Sequence, residues 1–177
     1  MNLENSISRN SIIEMELTGS KQGPFKSDKS RAGDNACLVV GYRFGIAVPH
    51  GTRSTTGGGL GVPQNGLTWI ICQIKAFVAQ CLTAVWGESE PLDVVLRVKR
   101  NDKSGKPETY MTVQLSKATI ARLEFGVGAV EILLDKDTRC IADDDYGGIV
   151  AIGFVGEKIN FDIEGSKAEF KQKAAGS

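Results

Sequence analysis

PLDVVLRVKRNDKSGKPETYMTVQL, residues 91–115, is the stretch that decides the fold of this chain. Apolar and polar residues alternate in its first part, and the same pattern returns after a turn that contains glycine and lysine. Alternation with a period of two places one side of a strand in the core and the other in solvent. Pro91 to Lys99 and Thr109 to Leu115 are therefore predicted to form a β-hairpin. The side chains predicted to face the core are Leu92, Val94, Leu96, Val98, Met111, Val113 and Leu115.

Five further segments have the composition of strands. Ser11 to Thr18 alternates, with Ile13, Met15 and Leu17 on one face. Leu67 to Ile74 is almost continuously apolar, which is typical of a strand covered on both faces. The other three predicted strands are Thr119 to Phe125, Val130 to Leu134 and Lys158 to Ile163.

One longer strand is predicted from Cys37 to Val48. The face predicted to point inward is formed by Leu38, Val40, Tyr42, Phe44, Ile46 and Val48. Gly41 and Gly45 lie on the opposite face, where glycine permits a bend, a bulge or a close backbone approach, and curvature is the favoured interpretation. The following segment, His50 to Gly66, is so rich in glycine, serine and threonine that a long loop is predicted.

A single helix is predicted over Lys75 to Trp86. Its apolar residues recur at spacings of three and four, which forms one apolar stripe toward the sheet. That stripe consists of Phe77, Val78, Cys81, Leu82 and Val85. Gly87 is placed to end the helix in a left-handed conformation.

These elements predict a mainly β protein, a closed or nearly closed antiparallel barrel with one helix against it. Closure of the barrel is favoured because many strands with one-sided patterning otherwise leave exposed edges. We expect one domain over residues 11–164, between a flexible N-terminal tail, residues 1–10, and a flexible C-terminal tail, residues 165–177. A short helical turn is expected at Lys167 to Lys173.

Composition excludes several classes of function. Basic and acidic residues are equally numerous, 21 of each, so nucleic acid is not an expected partner. No apolar run reaches the roughly 18 to 20 residues of a membrane helix, so membrane insertion is not expected. The first ten residues do not resemble a cleaved secretory signal. Four scattered cysteines, Cys37, Cys72, Cys81 and Cys140, are expected to be buried thiols in a reducing cytoplasm.

A search for catalytic chemistry finds weak candidates. His50 is the only histidine and lies in the predicted glycine-rich loop, where a loop or capping role is favoured over catalysis. The glycines of residues 57–61 do not match the phosphate-binding patterns G-x-x-x-x-G-K-[ST] and G-x-G-x-x-G, so a flexible loop is favoured. Asp143, Asp144 and Asp145 are consecutive and lack the spacing of a calcium loop, so a solvated turn is favoured. We therefore expect no catalytic residues, no metal and no cofactor, and no enzyme activity.

Charged residues are concentrated in two predicted loops of opposite sign. One interpretation is two solvated loops, and it is slightly favoured; the other is that the loops lie on opposite faces and attract each other when subunits stack head to tail. The candidate stacking residues are Lys21, Lys26, Lys29 and Arg31 in the basic loop and Asp135, Asp137, Asp143, Asp144 and Asp145 in the acidic loop.

The order of segments resembles the haemolysin-coregulated protein (Hcp) family, which forms the inner tube of bacterial type VI secretion systems. LTGSKQGPFKSD at residues 17–28 is similar to the family's segment G-x-x-Q-G-x-x-K, and VVGYRFGIAVP at residues 39–49 is similar to its long strand. WGESEPLDVVLRVKR at residues 86–100 and ETYMTVQLSKATIARLE at residues 108–124 are the most similar stretches. GEKINFDIEG at residues 156–165 resembles the closing strand.

The resemblance implies a mainly β subunit, an antiparallel β-barrel of two packed sheets with one flanking α-helix. It also implies that six copies form a ring and that the rings stack into a tube. It implies partners in the sheath, the spike and small effector proteins inside the ring. It also implies a protein that is cytoplasmic before assembly and is then secreted without a cleaved signal. On this basis Gly41, Gly45 and Ala47 are candidate subunit contacts, because a face of small residues lets a neighbour pack closely.

Two other functions stay open from the sequence. A monomeric β-barrel whose lumen binds a small ligand is the main alternative to a structural subunit. A hydrolase with an unrecognised site is the third and least favoured possibility.

Overall fold

The computed structural model describes residues 12–26, 36–47, 64–87, 89–128, 131–133, 139–141 and 148–171. Within these residues the chain is mostly β, with one helix. The elements in chain order are β1 (Ile12–Gly19), β2 (Gly23–Pro24), β3 (Cys37–Arg43), β4 (Ile46–Ala47), β5 (Gln64–Asn65), β6 (Thr68–Gln73), α1 (Phe77–Trp86), β7 (Leu92–Asn101), β8 (Pro107–Gly126), β9 (Glu131–Leu133), β10 (Arg139–Ile141), β11 (Ile149–Val155), β12 (Lys158–Ile163) and β13 (Ser166–Lys171).

Six strands close into an antiparallel barrel. They follow the order β11, β6, β3, β1, β7, β8, and β8 pairs again with β11. Strands β12 and β13 extend the sheet outward from β8, β2 pairs with the end of β1, and β4–β5 and β9–β10 form two separate two-stranded sheets. The predicted antiparallel barrel with one helix is confirmed.

The hairpin of β7 and β8 supplies much of the core. Leu92, Val94, Leu96, Val98, Val113 and Leu115 are buried as predicted, and Met111 is partly buried against them. Met15 and Leu17 of β1 face the same core, and Ile13 packs at its border. Each large side chain buried here stabilises the fold by roughly 1.5–3 kcal/mol relative to exposure.

Strand β8 is longer than either of the two strands predicted in its place. The two predicted strands, Thr109 to Leu115 and Thr119 to Phe125, are one strand of 20 residues. Its first half pairs with β12 up to Ser116, and its second half pairs with β11 from Thr119 onward. Between them Lys117 has a φ of 49°, and its N–H donates to Asp93 Oδ1 at 3.2 Å. This bend lets one strand belong to both the barrel and the extension.

In strand β3 the alternation of the sequence does not predict correctly which residues face the core. Cys37 and Val39 face the core at its start, so the predicted inward positions of Leu38 and Val40 are wrong. The pairing with β6 shifts between Val39 and Gly41, and after the shift Tyr42 and Phe44 pack against the core as predicted. A bulge adds one residue to one strand and so reverses the alternation.

The helix begins two residues after the predicted start and buries a narrower stripe. Phe77, Val78 and Cys81 are buried as predicted, together with Ala84. Leu82 and Val85 are 44% and 38% exposed, so their predicted burial is wrong. Gly87 is also not left-handed: its φ is −85°, and its N–H continues the helical pattern by donating to the Thr83 carbonyl at 3.3 Å.

Several strands were not predicted from the sequence. Strand β11, which closes the barrel, was not predicted, because its sequence IVAIGFV is buried on both faces and has no polar alternation. Its outer face is covered by Ile132 of β9, which packs with Trp69, Ile149 and Ala151. This cover also explains why the strand predicted at Leu67 to Ile74, observed as β6, is continuously apolar.

The two chain segments predicted as loop and tail also contain strands. Gln64–Asn65, within the predicted loop His50 to Gly66, forms β5. The helical turn expected at Lys167 to Lys173 is wrong for the described residues, because Ser166–Lys171 forms β13. Phe170 of β13 packs against Phe161, which in turn contacts Phe44 at a ring distance of 4.8 Å. The N-terminal tail, His50 and the glycines of residues 57–61 lie outside the described residues.

The strained backbone at Lys117 gives a first test of this fold. A residue with a Cβ costs about 1–2 kcal/mol in the left-handed region, whereas glycine adopts it freely and loses about 0.5–1 kcal/mol through its flexibility. We expect Lys117→Gly to leave the unfolding free energy unchanged or to raise it by up to about 1 kcal/mol, measured by denaturant titration. The matched control, Gln114→Gly on the same strand, should lower it by about 1 kcal/mol. If both variants lowered the unfolding free energy by the same amount, the left-handed backbone at Lys117 would be contradicted.

Candidate assembly surfaces

The first candidate surface begins where β1 turns into β2. Gly19 ends β1, and Gly23, with a φ of 69°, opens β2 after the turn of residues 20–22. Glu90, which precedes β7, reaches under this turn and is only 6% exposed. Its Oε1 accepts the backbone N–H groups of Lys21 and Gln22, the latter at 2.8 Å, and its Oε2 accepts Gln22 Nε2 at 2.7 Å.

Helix α1 holds the same turn from a second side. Gln22 Nε2 also donates to the carbonyl of Gln80 at 3.2 Å, and Gln80 Oε1 accepts the backbone N–H of Lys26 at 2.7 Å. We call Lys21, Gln22, Gln80 and Glu90 the Glu90 cluster. It joins the turn, the helix and the start of β7 although its members lie up to 69 residues apart in the chain.

Position 19 has space for glycine only, because Glu90 and Phe25 lie close to its Cα. A Cβ at position 19 would lie 2.5 Å from Glu90 Oε1 and 3.1 Å from the ring of Phe25. Any larger residue would therefore displace the Glu90 carboxylate from the turn or move Phe25, which is itself buried.

The electrostatic state of Glu90 follows from its surroundings. Burial alone would raise its pKa, because a covered carboxylate loses hydration. The hydrogen bonds from the Gln22 side chain and from the backbone of Gln22 and Lys21, together with the charge of Lys21, outweigh that effect and lower the pKa of Glu90 below its usual value. The ionised carboxylate is therefore the form that the folded chain prefers.

The structure describes only part of the candidate stacking surface. Lys21 and Lys26 are exposed on the turn that the Glu90 cluster holds. The other candidates, Lys29, Arg31, Asp135, Asp137, Asp143, Asp144 and Asp145, lie outside the described residues. The expected attraction between a basic and an acidic face therefore stays a prediction.

Glu90 and Gln80 were not found by sequence reasoning. Their role depends on contacts between distant segments, which no local pattern encodes. One signal was present: the stretches at residues 17–28 and 86–100, both quoted for the family resemblance, contain Gln22 and Glu90 and meet in space here.

The second candidate surface is the small-residue face of β3 and β4. Among the described residues, a Cβ on Gly41 would meet only Ile71 Cδ1, at 3.9 Å, and a Cβ on Gly45 would meet nothing within 4 Å. Close packing against the described part of the chain therefore does not explain either glycine. The pairing shift beside Gly41 agrees with the favoured use in curvature. Ala47 lies in β4, its side chain is not among those described, and the subunit contact stays a prediction.

A third surface is the outward face of the extended sheet, which is polar. Lys99 pairs with Glu14 at 2.7 Å, and Arg97 pairs with Glu16 at 2.6 Å, across β1 and β7. An open groove of about 570 Å³ lies beside them. Its lining comprises Val95, Arg97, Thr112, Gln114, Asn160, Phe161, Asp162, Lys167, Ala168 and Glu169. Lys158 and Lys171 both pair with Glu169, so much of the charge on this face is neutralised locally.

Three of the four cysteines are buried thiols, as expected. They are Cys37, Cys72 and Cys81, while the side chain of Cys140 is not described. Burial raises the pKa of Cys72 well above its usual value and that of Cys81 to about 12. Such thiols are protonated and unreactive at neutral pH.

The described residues contain neither a candidate metal-binding cluster nor a helix that could span a membrane. No cluster of three or more histidine, cysteine, aspartate or glutamate side chains there could hold a metal ion. Helix α1 has only 10 residues, and no helix in the described ranges is long and apolar enough to cross a membrane.

The comparisons with known proteins agree with this geometry at the level of the fold. No family model and no curated protein sequence matches the chain. A crystal structure of an Hcp protein matches with a TM-score of 0.75 and 16% identity, over 93% of this chain and 99% of that one. The chain has the Hcp fold. The secreted protein Hcp3 from Pseudomonas aeruginosa matches with a TM-score of 0.70 and 16% identity, over 93% and 99% of the two chains.

A third Hcp structure extends the similarity. The Hcp1 protein of E. coli matches with a TM-score of 0.71 and 12% identity, over 90% of this chain and 97% of that one. The Hcp fold therefore accounts for nearly the whole chain, as the order of its sequence segments implied.

The lowered pKa of Glu90 leads to a test by pH. A carboxylate whose pKa is lower in the folded than in the unfolded chain stabilises the fold above the unfolded value, about 4.3, and this stabilisation is lost as the pH falls through the folded value. We expect Glu90→Gln to cost about 1–2 kcal/mol at pH 7. The cost should shrink below about pH 4. Denaturant titrations at fixed protein concentration across this pH range measure the difference.

A control separates Glu90 from acidic residues in general. Glu157 is exposed, and its side chain pairs only loosely with Lys117, at 3.5 Å. Glu157→Gln should therefore follow the wild type at every pH. If Glu90→Gln and wild type differed by the same amount from pH 7 to pH 3, the ionised carboxylate would not be the stabilising form.

Proposed function

We propose that this chain is a structural subunit that assembles into hexameric rings, and that the rings stack into the inner tube of a type VI secretion system. The observation that supports the proposal most directly is the match to Hcp structures over about nine tenths of the chain. On this proposal the sheath and spike of the system are further partners, and small effectors travel in the lumen of the ring.

The proposal also assigns a location and a chemical role. The subunit is made in the cytoplasm and leaves the cell as part of the tube rather than through a cleaved signal. It works by self-association and needs no active site, cofactor or metal.

The ligand-binding alternative fits the barrel less well. Met15, Phe77, Ile70 and Phe154 are fully buried in one cluster, so large side chains fill the interior where a ligand would lie. The groove beside Arg97 is on the outside of the sheet and is polar. A tube subunit needs no internal cavity, whereas a ligand-binding barrel does.

The mass of the purified protein tests the proposal. A hexamer of the 19.0 kDa chain has a mass of about 114 kDa, and light scattering after size exclusion distinguishes it from a monomer. Negative-stain images should show rings and, at higher protein concentration, stacks of rings. A monomeric particle at all concentrations would exclude the tube subunit.

Gly45 offers a test of the subunit contact. Because no described residue lies within 4 Å of a Cβ at this position, Gly45→Trp should fold with a melting temperature close to that of the wild type. If the small-residue face is the contact, the indole blocks the neighbour and the hexamer dissociates to monomers in light scattering. Lys103→Trp, on the exposed turn between β7 and β8, is the control and should remain hexameric. A hexameric Gly45→Trp variant would place the contact elsewhere.

A further inference from the structure

We propose that Glu90 is a positioning residue for ring-to-ring stacking: it holds the turn of residues 20–26 in one conformation, so that Lys21 and Lys26 meet the next ring in a fixed geometry. This inference rests on the proposed tube function and names the buried group that orders its stacking surface.

The first step is the strength of the attachment. Glu90 is 6% exposed and accepts two backbone N–H groups and one side-chain amide from a turn that lies 68 and 69 residues away in the chain. Hydrogen bonds to a charged acceptor are stronger than neutral ones, and they strengthen further when water is excluded. The N–H groups of Lys21 and Gln22 would lose their partner without this carboxylate.

The second step is that the far end of the turn is also fixed. Phe25 is buried, and its N–H donates to the Leu17 carbonyl at 2.9 Å. The backbone of Lys26 is bonded on both sides, since its N–H donates to Gln80 Oε1 at 2.7 Å and its carbonyl accepts the Cys37 thiol at 3.7 Å. The backbone is therefore held up to the residue at which the basic segment leaves the described part of the chain.

The third step concerns what this fixed backbone presents. Lys21 and Lys26 are exposed. Their backbone N–H groups are bound by Glu90, which is buried, and by Gln80, which is half-buried. Charged groups select a partner and its register only when their positions are defined before contact, because ordering a mobile turn opposes association. Glu90 supplies that order without touching the neighbouring ring.

The experiment compares Glu90→Ala with the control Glu157→Ala, which removes an exposed carboxylate directly before β12. Three quantities are measured on each full-length protein: ring mass by mass photometry, the fraction of stacked rings by sedimentation velocity at low and high salt, and hydrogen exchange of the Lys21 and Gln22 amides. For Glu90→Ala we expect rings of wild-type mass, amide exchange at least about 100-fold faster, and at least a 10-fold smaller stacked fraction. Glu157→Ala should match the wild type in all three.

Lys26→Glu separates charge from position. It removes the positive charge but leaves the Glu90 cluster in place, so stacking should fall while the Lys21 and Gln22 amides stay protected. If stacking falls only in Glu90→Ala, or only through dissociation of the rings, the positioning role is overturned.

The remaining outcomes also decide between the two proposals. Wild-type stacking by Glu90→Ala despite fast amide exchange overturns the positioning role and leaves the ring proposal intact, as does wild-type protein that forms rings but never stacks them. A monomeric wild type instead refutes the proposed function itself. If Glu90→Ala does not fold, Gln22→Ala replaces it, because it removes the side-chain links to Glu90 and Gln80 and keeps the backbone ones. Its stacked fraction should fall at least about threefold, and unchanged stacking overturns the role.

Discussion

The pairing of β8 with β11 is the interaction on which the rest of the structure depends. Strand β8 is bonded to β7 along one edge, and only its contact with β11 turns an open sheet into a closed barrel. Closure removes two exposed edges and lets inward side chains from all six strands bury one another. It also requires the bend at Lys117, because the first half of β8 must pair with β12 outside the barrel.

The fold was predictable where one face of a strand is buried and the other is wet. Leu92, Leu96 and Val113 alternate with polar residues, so the period of two in the hairpin could be read directly. Strand β11 could not be found in this way, because Ile149 and Ala151 are covered by β9 on the outer face while Ile152 fills the core on the inner face. A pattern exists only when the two faces meet different surroundings.

The errors in β3 and in the helix have local physical causes that the sequence does not encode. One shift in pairing near Gly41 reverses which residues of β3 face the core. In α1 the buried face is narrow and includes Phe77, Cys81 and Ala84. Leu82 lies outside this face and is half exposed, although it fits the helical spacing. The Glu90 cluster could not be predicted for another reason. Its four residues come from three segments, and only the closed fold brings them together.

The Glu90 cluster also explains why a charge is buried beside an apolar core. An isolated carboxylate at this position would be strongly unfavourable, yet an apolar residue would leave the Lys21 and Gln22 amides without a partner. The turn has no helix or sheet partner of its own for these amides, so a side chain must supply the acceptor. Gly19 leaves the space for that acceptor, since a Cβ there would meet Glu90 Oε1 at 2.5 Å. The small residue at the end of β1 and the acid before β7 are therefore parts of one requirement, and neither is explained by its own segment alone.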